Sequence, residues 1–317
     1  MNILRMTGGL GNQMFSYALL LKFRSMGIDC MVDDFSEYEG HDNRRPLFLK
    51  DAFGIEYQRV TKKIYDEFTD SSMRPDKRIL RKLRGRKSRE YHEASAEFDA
   101  EILKKDNAYI TGYFQTERYF EDIRDEVLKS FTFTEDVNKL ADKILEENGV
   151  DPSGKGDPDT GKNSTVAIHI RRGDYLDVDD VYGGICTDGY YTTGMGYILE
   201  RVEDPLFLLI SNDPDWTENW AKDFFKKAEE SIKARGRADL KGPIRYRVIR
   251  GTDESTGYTD MCIMSRCNHM IMANSSFSWW GAYLNRNADK IVIAPPKWTN
   301  TLDQRDIFTE DMTRMIF

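Results

Sequence analysis

Cysteine is scarce in this chain of 317 residues, which has only Cys30, Cys186, Cys262 and Cys267. Four thiols are too few for a disulfide scaffold and fit a reducing compartment. Long apolar runs are missing as well. The longest, at 17–21 and 206–210, are five residues, against roughly 20 needed to cross a bilayer. No basic stretch followed by an apolar one opens the sequence, so no secretory signal is expected, and the expected compartment is the cytoplasm. Excess positive charge is also absent. The formal net charge is −8, which disfavours nucleic acid as a partner for the whole surface. Finally, there is no Gly-x4-Gly-Lys-Ser/Thr loop, no Gly-x-Ser-x-Gly elbow and no Cys/His nucleophile pair. Cys262, Cys267 and His269 invite a metal reading, but the Cys-x4-Cys pair lacks a second ligand pair at a usual spacing. They read as small buried groups, and no metal is expected.

What the chain does have is core-forming material. Hydrophobic residues make up 40% and aromatics 12%, which excludes disorder throughout. At about 150 residues per domain the length suggests two domains, or one large α/β unit. The start reads as a strand over 2–6, a glycine turn and a helix over 13–26, then a strand over 30–32. This is the opening of a parallel α/β sheet. Segments 57–68 and 119–131 have helical periodicity, and 108–110 a strand pattern. The stretch 151–164 (DPSGKGDPDTGKNS) holds no apolar residue and reads as a linker. After it, the β-branched run 165–170 (TVAIHI) reads as a buried strand. Strands at 206–210, 246–249, 269–272 and 290–294 then alternate with helical stretches at 190–201, 219–234, 258–265 and 277–285. The expectation is therefore two α/β halves, 1–150 and 165–317, joined by 151–164.

Three constellations can carry chemistry. The first is GGLGNQ at 8–13. Glycines at a strand-to-helix turn allow close backbone approach, and the helix start attracts anions. Gly9, Gly11, Asn12 and Gln13 are the candidate ligand contacts. As a dinucleotide fingerprint the turn fails, because Met14 stands where a third glycine is needed. A tight turn with no ligand is the alternative. The second is HIRRGDY at 169–175, at the carboxyl end of a buried strand, where ligands bind in open α/β sheets. Arg171 and Arg172 suit phosphate oxygens or the charge on a departing diphosphate. Asp174 can orient an arginine or take a proton. His169 can be a core histidine, and the whole cluster an internal Arg–Asp network. The third is ANSSFSWWGAYLN at 273–285, where Asn274, Ser275 and Ser276 precede a helix that can seat a phosphate. Trp279 and Trp280 read as packing. Asp260, upstream, is an N-cap or an acceptor for a base or ribose. Segment 74–90 holds nine Lys or Arg against two acids and reads as a solvated face or as a seat for phosphate or lipid head groups.

In combination, GGLGNQMFSYA (8–18), HIRRGDY (169–175) and YTDMCIMSRCNHMIMANSSFSWWGAYLN (258–285) closely resemble the bacterial α-1,2-fucosyltransferases of glycosyltransferase family 11. The HxRRxD core is shared more widely with α-1,6- and protein O-fucosyltransferases. The resemblance implies a GT-B-type fold of two facing Rossmann-like domains with parallel sheets. It implies GDP-β-L-fucose as donor, bound mainly by the carboxyl-terminal half, with the amino-terminal half on the acceptor side. Transfer would invert the anomeric centre and place fucose on the 2-hydroxyl of a terminal galactose, in an oligosaccharide or lipid-linked glycan, without cofactor or metal. Arg171 matches the arginine that contacts the diphosphate, and Arg172, Asp174 and His169 the rest of that motif. Asp260, Asn274, Ser275 and Ser276 match the nucleotide seat, and Gly9, Gly11, Asn12 and Gln13 the loop that closes over donor or acceptor. Asp174 is the first candidate for general base, Asp179 or Asp188 the next, and a donor phosphate oxygen another. A fucosyltransferase of another linkage, a nucleotide-dependent oxidoreductase and a non-catalytic binding module are the alternatives. Peripheral contact with the inner face of the membrane through 74–90 is a further expectation.

Overall fold

A computed structural model describes residues 1–38, 46–69, 75–152, 164–172, 178–236, 240 and 242–315. The chain forms two compact units, Met1–Thr132 and Phe133–Phe317.

The first unit runs β1 (Asn2–Arg5), α1 (Leu10–Ser25), β2 (Cys30–Asp33), α2 (Leu49–Phe53), α3 (Lys62–Phe68), α4 (Pro75–Leu83), β3 (Glu90–His92), α5 (Ala100–Leu103), β4 (Tyr109–Thr111) and α6 (Arg124–Ser130). Its four strands are parallel, in the order β2-β1-β4-β3. Parallel strands need their faces covered, and α1 supplies that cover with Met14, Phe15, Ala18, Leu19, Leu20 and Phe23 fully buried. The helical expectation over 57–68 holds only from Lys62, which follows a Thr61 cap on the Ile64 N–H. The preceding residues instead run beside β2, with Val60 and Val32 joined by a backbone bond.

The second unit runs α7 (Glu135–Glu147), β5 (Thr165–Ile170), α8 (Asp179–Tyr182), α9 (Asp188–Leu199), β6 (Leu206–Ser211), α10 (Pro214–Ala234), β7 (Arg245–Val248), α11 (Tyr258–Arg266), β8 (His269–Ile271), α12 (Ser276–Leu284), β9 (Val292–Ala294) and β10 (Met312–Arg314). Six parallel strands lie in the order β10-β9-β8-β5-β6-β7. Counted from β5, this is the 3-2-1-4-5-6 order of a doubly wound sheet, whose direction reverses between β5 and β8. Both units are thus α/β with wholly parallel sheets, as expected from the strand–helix alternation.

The division between units falls before α7, not at 151–164. Val137, Ala141, Ile144 and Leu145 form the buried stripe of α7, spaced for one helical face. The helix is tied to α11, with Arg266 bonding to Asp142 and to Asn138. The apolar-free stretch is therefore a connection inside the second unit. Alternation along β5 sends Val166, Ile168 and Ile170 into a cluster with Tyr190, Tyr191 and Phe224, while His169 turns to the other face and packs, ring tilted, near Phe277 of α12. Gly281 permits the close approach of α12 and α11, since a Cβ there would lie 3.1 Å from the Cβ of Met264. Trp279 and Trp280 are fully buried, and the Trp279 indole donates to the Ile307 carbonyl. Among the described residues no helix is long and apolar enough to cross a membrane.

Candidate functional site

In a doubly wound sheet, ligands bind beyond the carboxyl ends of the strands where the strand order reverses. In the second unit that place lies between the ends of β5 and β8. The chain leaves β5 directly into Arg171 and Arg172, and leaves β8 into Ala273, Asn274 and Ser275. Two of the three sequence constellations therefore meet at one edge of one sheet.

The two arginines differ. Arg172 keeps to the α10 side. Its guanidinium lies over the Trp216 ring, 3.6 Å from the centroid, its Nε is 3.5 Å from Asp213 Oδ2, and its backbone N–H donates to Asn212 Oδ1 at 2.9 Å. Behind it Trp216, Trp220 and Phe224 form a stack. Arg172 is thus an internal anchor between the ends of β5 and β6, held by cation–π and ionic contacts. Arg171, the first residue past β5 and two on from His169, is half-buried. Burial, and then the Arg171 charge, push the His169 imidazole down to about 3, so His169 is neutral at physiological pH. It is 3% exposed and its Nδ1 has no hydrogen-bond partner. Its ring lies tilted against that of Phe277, 5.7 Å between centroids, so a buried neutral imidazole precedes Arg171 by two residues.

The turn after β8 is rigid. Asn274 is buried; its Nδ2 donates to the Trp298 carbonyl at 3.1 Å and its Oδ1 accepts from the Cys186 thiol at 3.4 Å. The Ala273 N–H donates to Ser278 Oγ, and the Tyr190 hydroxyl donates to the Met272 carbonyl at 2.7 Å. Asn274 therefore shapes the turn. Ser275 stands at the N-cap of α12, yet its hydroxyl makes no capping bond. The N–H groups of the first turn, with the positive end of the helix dipole, are left without a side-chain cap. Ser276 opens the helix and is half-buried.

Asp260 lies in the first turn of α11, whose N-cap is Gly257, so it is not the cap. It accepts a hydrogen bond from Thr252 Oγ1 at 3.0 Å. Desolvation outweighs that bond and pushes the Asp260 carboxyl up to about 7. Asp174 lies outside the described residues. Asp179 opens α8, and Asp188 opens α9, where it accepts from the Trp220 indole at 3.0 Å.

The first constellation behaves differently. Gly8 sits at φ +72, and a Cβ there would be 2.5 Å from Asn12 Nδ2, so only glycine fits. Gln13 is fully buried. Its Nε2 donates to the Gly8 and Pro46 carbonyls, and its Oε1 accepts from the Phe48 N–H. Asn12 Oδ1 accepts from Gln115 Nε2 at 2.8 Å. The Gly8 carbonyl also accepts from the Tyr38 hydroxyl, and the Gly8 N–H donates to Glu37. Gly9 is the N-cap of α1, and Gly11 lies buried in its first turn. Gln13 is thus a brace for the turn, and the Gly9 carbonyl accepts from the Asn12 and Gln13 N–H groups inside it.

The acids at the end of β2 are engaged too. Asp33 accepts from the Phe35 and Ser36 N–H groups and the Tyr109 hydroxyl. Asp34 accepts from Tyr57 and Arg59. Neither is left for the ribose contact that a dinucleotide enzyme makes there. Cys262 donates to Asn138, Cys267 to the Ile263 carbonyl, and His269 Nδ1 accepts from the Ile291 N–H. These three serve the fold separately.

Comparison with known proteins names the class. Glycosyl transferase family 11 matches over residues 59–314. The chain belongs to this family. Among relatives of this family 11 glycosyltransferase is the O-antigen biosynthesis glycosyltransferase WbnK of Escherichia coli, 28% identical over 92% of this chain and 93% of that protein. An alpha-1,2-colitosyltransferase of Escherichia coli is 27% identical over 93% of this chain and 91% of that protein. Galactoside alpha-(1,2)-fucosyltransferase 1 of Rattus norvegicus is 25% identical over 87% of this chain, which spans 61% of that protein. The enzyme is a glycosyltransferase related to all three.

Proposed function

We propose that this glycosyltransferase transfers L-fucose from GDP-β-L-fucose to the 2-hydroxyl of a terminal galactose, with inversion and without a metal. One observation carries the reading. Arg171 follows β5 directly, and the uncapped start of α12 follows the neighbouring strand β8, where the order of the parallel strands reverses.

The chemistry then assigns roles. Transfer breaks the bond between the sugar C1 and a diphosphate oxygen while the acceptor oxygen bonds to C1 from the opposite face. Negative charge grows on the diphosphate as this happens. A guanidinium and helix N–H groups placed there in advance stabilise that charge more in the transition state than in the bound donor. These donors do the work a divalent cation would otherwise do, so transfer should persist in excess EDTA. Loss of activity restored by Mn²⁺ would refute that part. His169 supplies a neutral, buried neighbour, and its low-dielectric surroundings strengthen the field of Arg171. Asp260 faces the nucleoside, and Ser275 and Ser276 offer hydroxyls to phosphate. Arg172 and Asn274 hold the two loops in place. The acceptor hydroxyl must lose its proton, and Asp174, three residues beyond Arg171 in the chain, is the base we assign. Acceptor recognition we assign to the strand-end loops of the amino-terminal unit.

A second reading has a specific basis, the colitosyltransferase relative at nearly full length. Colitose is fucose without its 3-hydroxyl, so the same seat serves either nucleotide sugar. Purified enzyme should be offered GDP-fucose and GDP-colitose with a panel of β-galactosides, and the product linkage determined. An α-1,2-linked fucosyl galactoside is expected. Transfer of colitose alone would replace the donor assignment, and transfer of neither sugar to any galactoside would overturn the reading.

A further inference from the structure

Helix α4 is not explained by the packing of its own chain. It is nine residues long, PDKRILRKL, shorter than the roughly 12–15 residues at which an isolated helix becomes stable in water. Its local signals are good: proline at the first position, Asp76 in the first turn, and Arg81 and Lys82 in the last. Yet none of its described residues is buried. Ile79, Leu80 and Leu83 are 61%, 46% and 79% exposed, three of the seven large hydrophobic side chains that the described residues expose. Positions i, i+1 and i+4 share one helical face.

Cations surround this face. Arg78 and Lys82 are exposed on α4, and Arg84, Arg86 and Lys87 are exposed just after it. Arg81 turns back to donate to the Arg86 carbonyl, which folds the trailing basic residues against the helix end. Arg89 is taken up by the Phe68 ring, 4.5 Å from its centroid, and anchors the segment to α3. An apolar strip edged by arginine and lysine matches the boundary between acyl chains and anionic head groups. A nucleic acid would use the cations but leave the three aliphatic side chains in water, and no aromatic is available there to stack on bases.

We infer that α4 and residues 84–87 form a docking surface for an anionic lipid bilayer, with Ile79, Leu80 and Leu83 entering the head-group boundary. This surface is independent of the donor and acceptor assigned above.

The test uses the full chain and flotation with vesicles of phosphatidylglycerol and phosphatidylcholine in equal parts, against pure phosphatidylcholine. Binding to the anionic vesicles is expected, weakening at about 0.5 M NaCl as screening shortens the reach of the charges. Arg78→Gln/Lys82→Gln/Arg84→Gln should weaken the partition constant about a hundredfold, since each cation near an anionic surface contributes several-fold. Leu80→Ser/Leu83→Ser should weaken it about tenfold through lost apolar burial. Both variants should keep wild-type circular dichroism and wild-type transfer to a soluble acceptor. Absence of binding to anionic vesicles, or wild-type binding by both variants, would overturn the inference. So would self-association seen by light scattering that Leu80→Ser/Leu83→Ser abolishes while vesicle binding persists, because the face would then belong to a second copy of the chain.

Discussion

The two strand-to-helix turns, after β1 in the first unit and after β8 in the second, share a plan and differ in charge. Both lead into helices that no side chain caps, α1 behind Gly9 and α12 behind Ser275. At the first turn the polar side chains are bound into the fold. Gln13 braces three backbone groups, Asn12 takes the Gln115 amide, and the nearby cation Arg5 lies 3.4 Å from Glu37. At the second edge an arginine leaves the neighbouring strand, two residues after a histidine kept neutral by burial. Two helix N-termini of similar geometry thus differ in what they offer an anion, and the difference lies in the residues leaving the neighbouring strand. A helix start alone is a weak predictor of phosphate binding; the guanidinium beside it decides.

Breaking each side of this comparison should give distinct signatures. Arg171→Ala should have the largest functional effect, lowering kcat by about a hundredfold or more, as for loss of one donor to a developing anion, with the melting temperature unchanged. Gln13→Ala should instead cost about 3 kcal/mol of unfolding free energy in denaturant titration, because buried backbone partners at Gly8, Pro46 and Phe48 lose their bonds. Its folded fraction should still bind GDP. Gly8→Ala should cost about 1–2 kcal/mol by the same measurement, through its left-handed backbone.

A further contrast lies in the pH dependence. Asp260 is raised from 3.8 to about 7 in the fold, so its contribution to stability is full below about 3.8 and is lost as pH rises through about 7. His169 is lowered from 6.5 to about 3, so its contribution is full above 6.5 and is lost as pH falls toward about 3. The two slopes oppose each other between about 4 and 6.5. Asp260→Asn should unmask the histidine, and unfolding free energy should then rise with pH across that window. A profile identical to wild type would remove Asp260 from this balance.

Much of the fold was legible in the chain. The run TVAIHI can only be a buried strand, and residues just past the end of such a strand lie at the ligand edge, so the position of Arg171 in the fold was readable. Partnership was not legible. That Arg172 settles on Trp216 could not be read, because the Trp216 partner lies on a distant helix. The bracing role of Gln13 depends on carbonyl and amide groups 33 and 35 residues along the chain. Helix α7 had a readable pattern in Thr134 followed by Val137, Ala141, Ile144 and Leu145. The conspicuous Gly- and Pro-rich stretch after it drew the domain boundary away from its true place. The exposed apolar face of α4 looked like an ordinary basic segment because composition counts charge and does not show which side chains lack cover.

The claim that the donor diphosphate sits beside Arg171 is tested most directly by calorimetric titration of GDP into wild type, Arg171→Ala and Asn12→Ala. Loss of a charged hydrogen-bonding partner predicts binding weakened at least about tenfold in Arg171→Ala, with Asn12→Ala within about a factor of two of wild type, because its amide oxygen already serves Gln115. Equal affinity in wild type and Arg171→Ala, or a larger loss in Asn12→Ala, would contradict the account and move the anion to the glycine turn of the first unit.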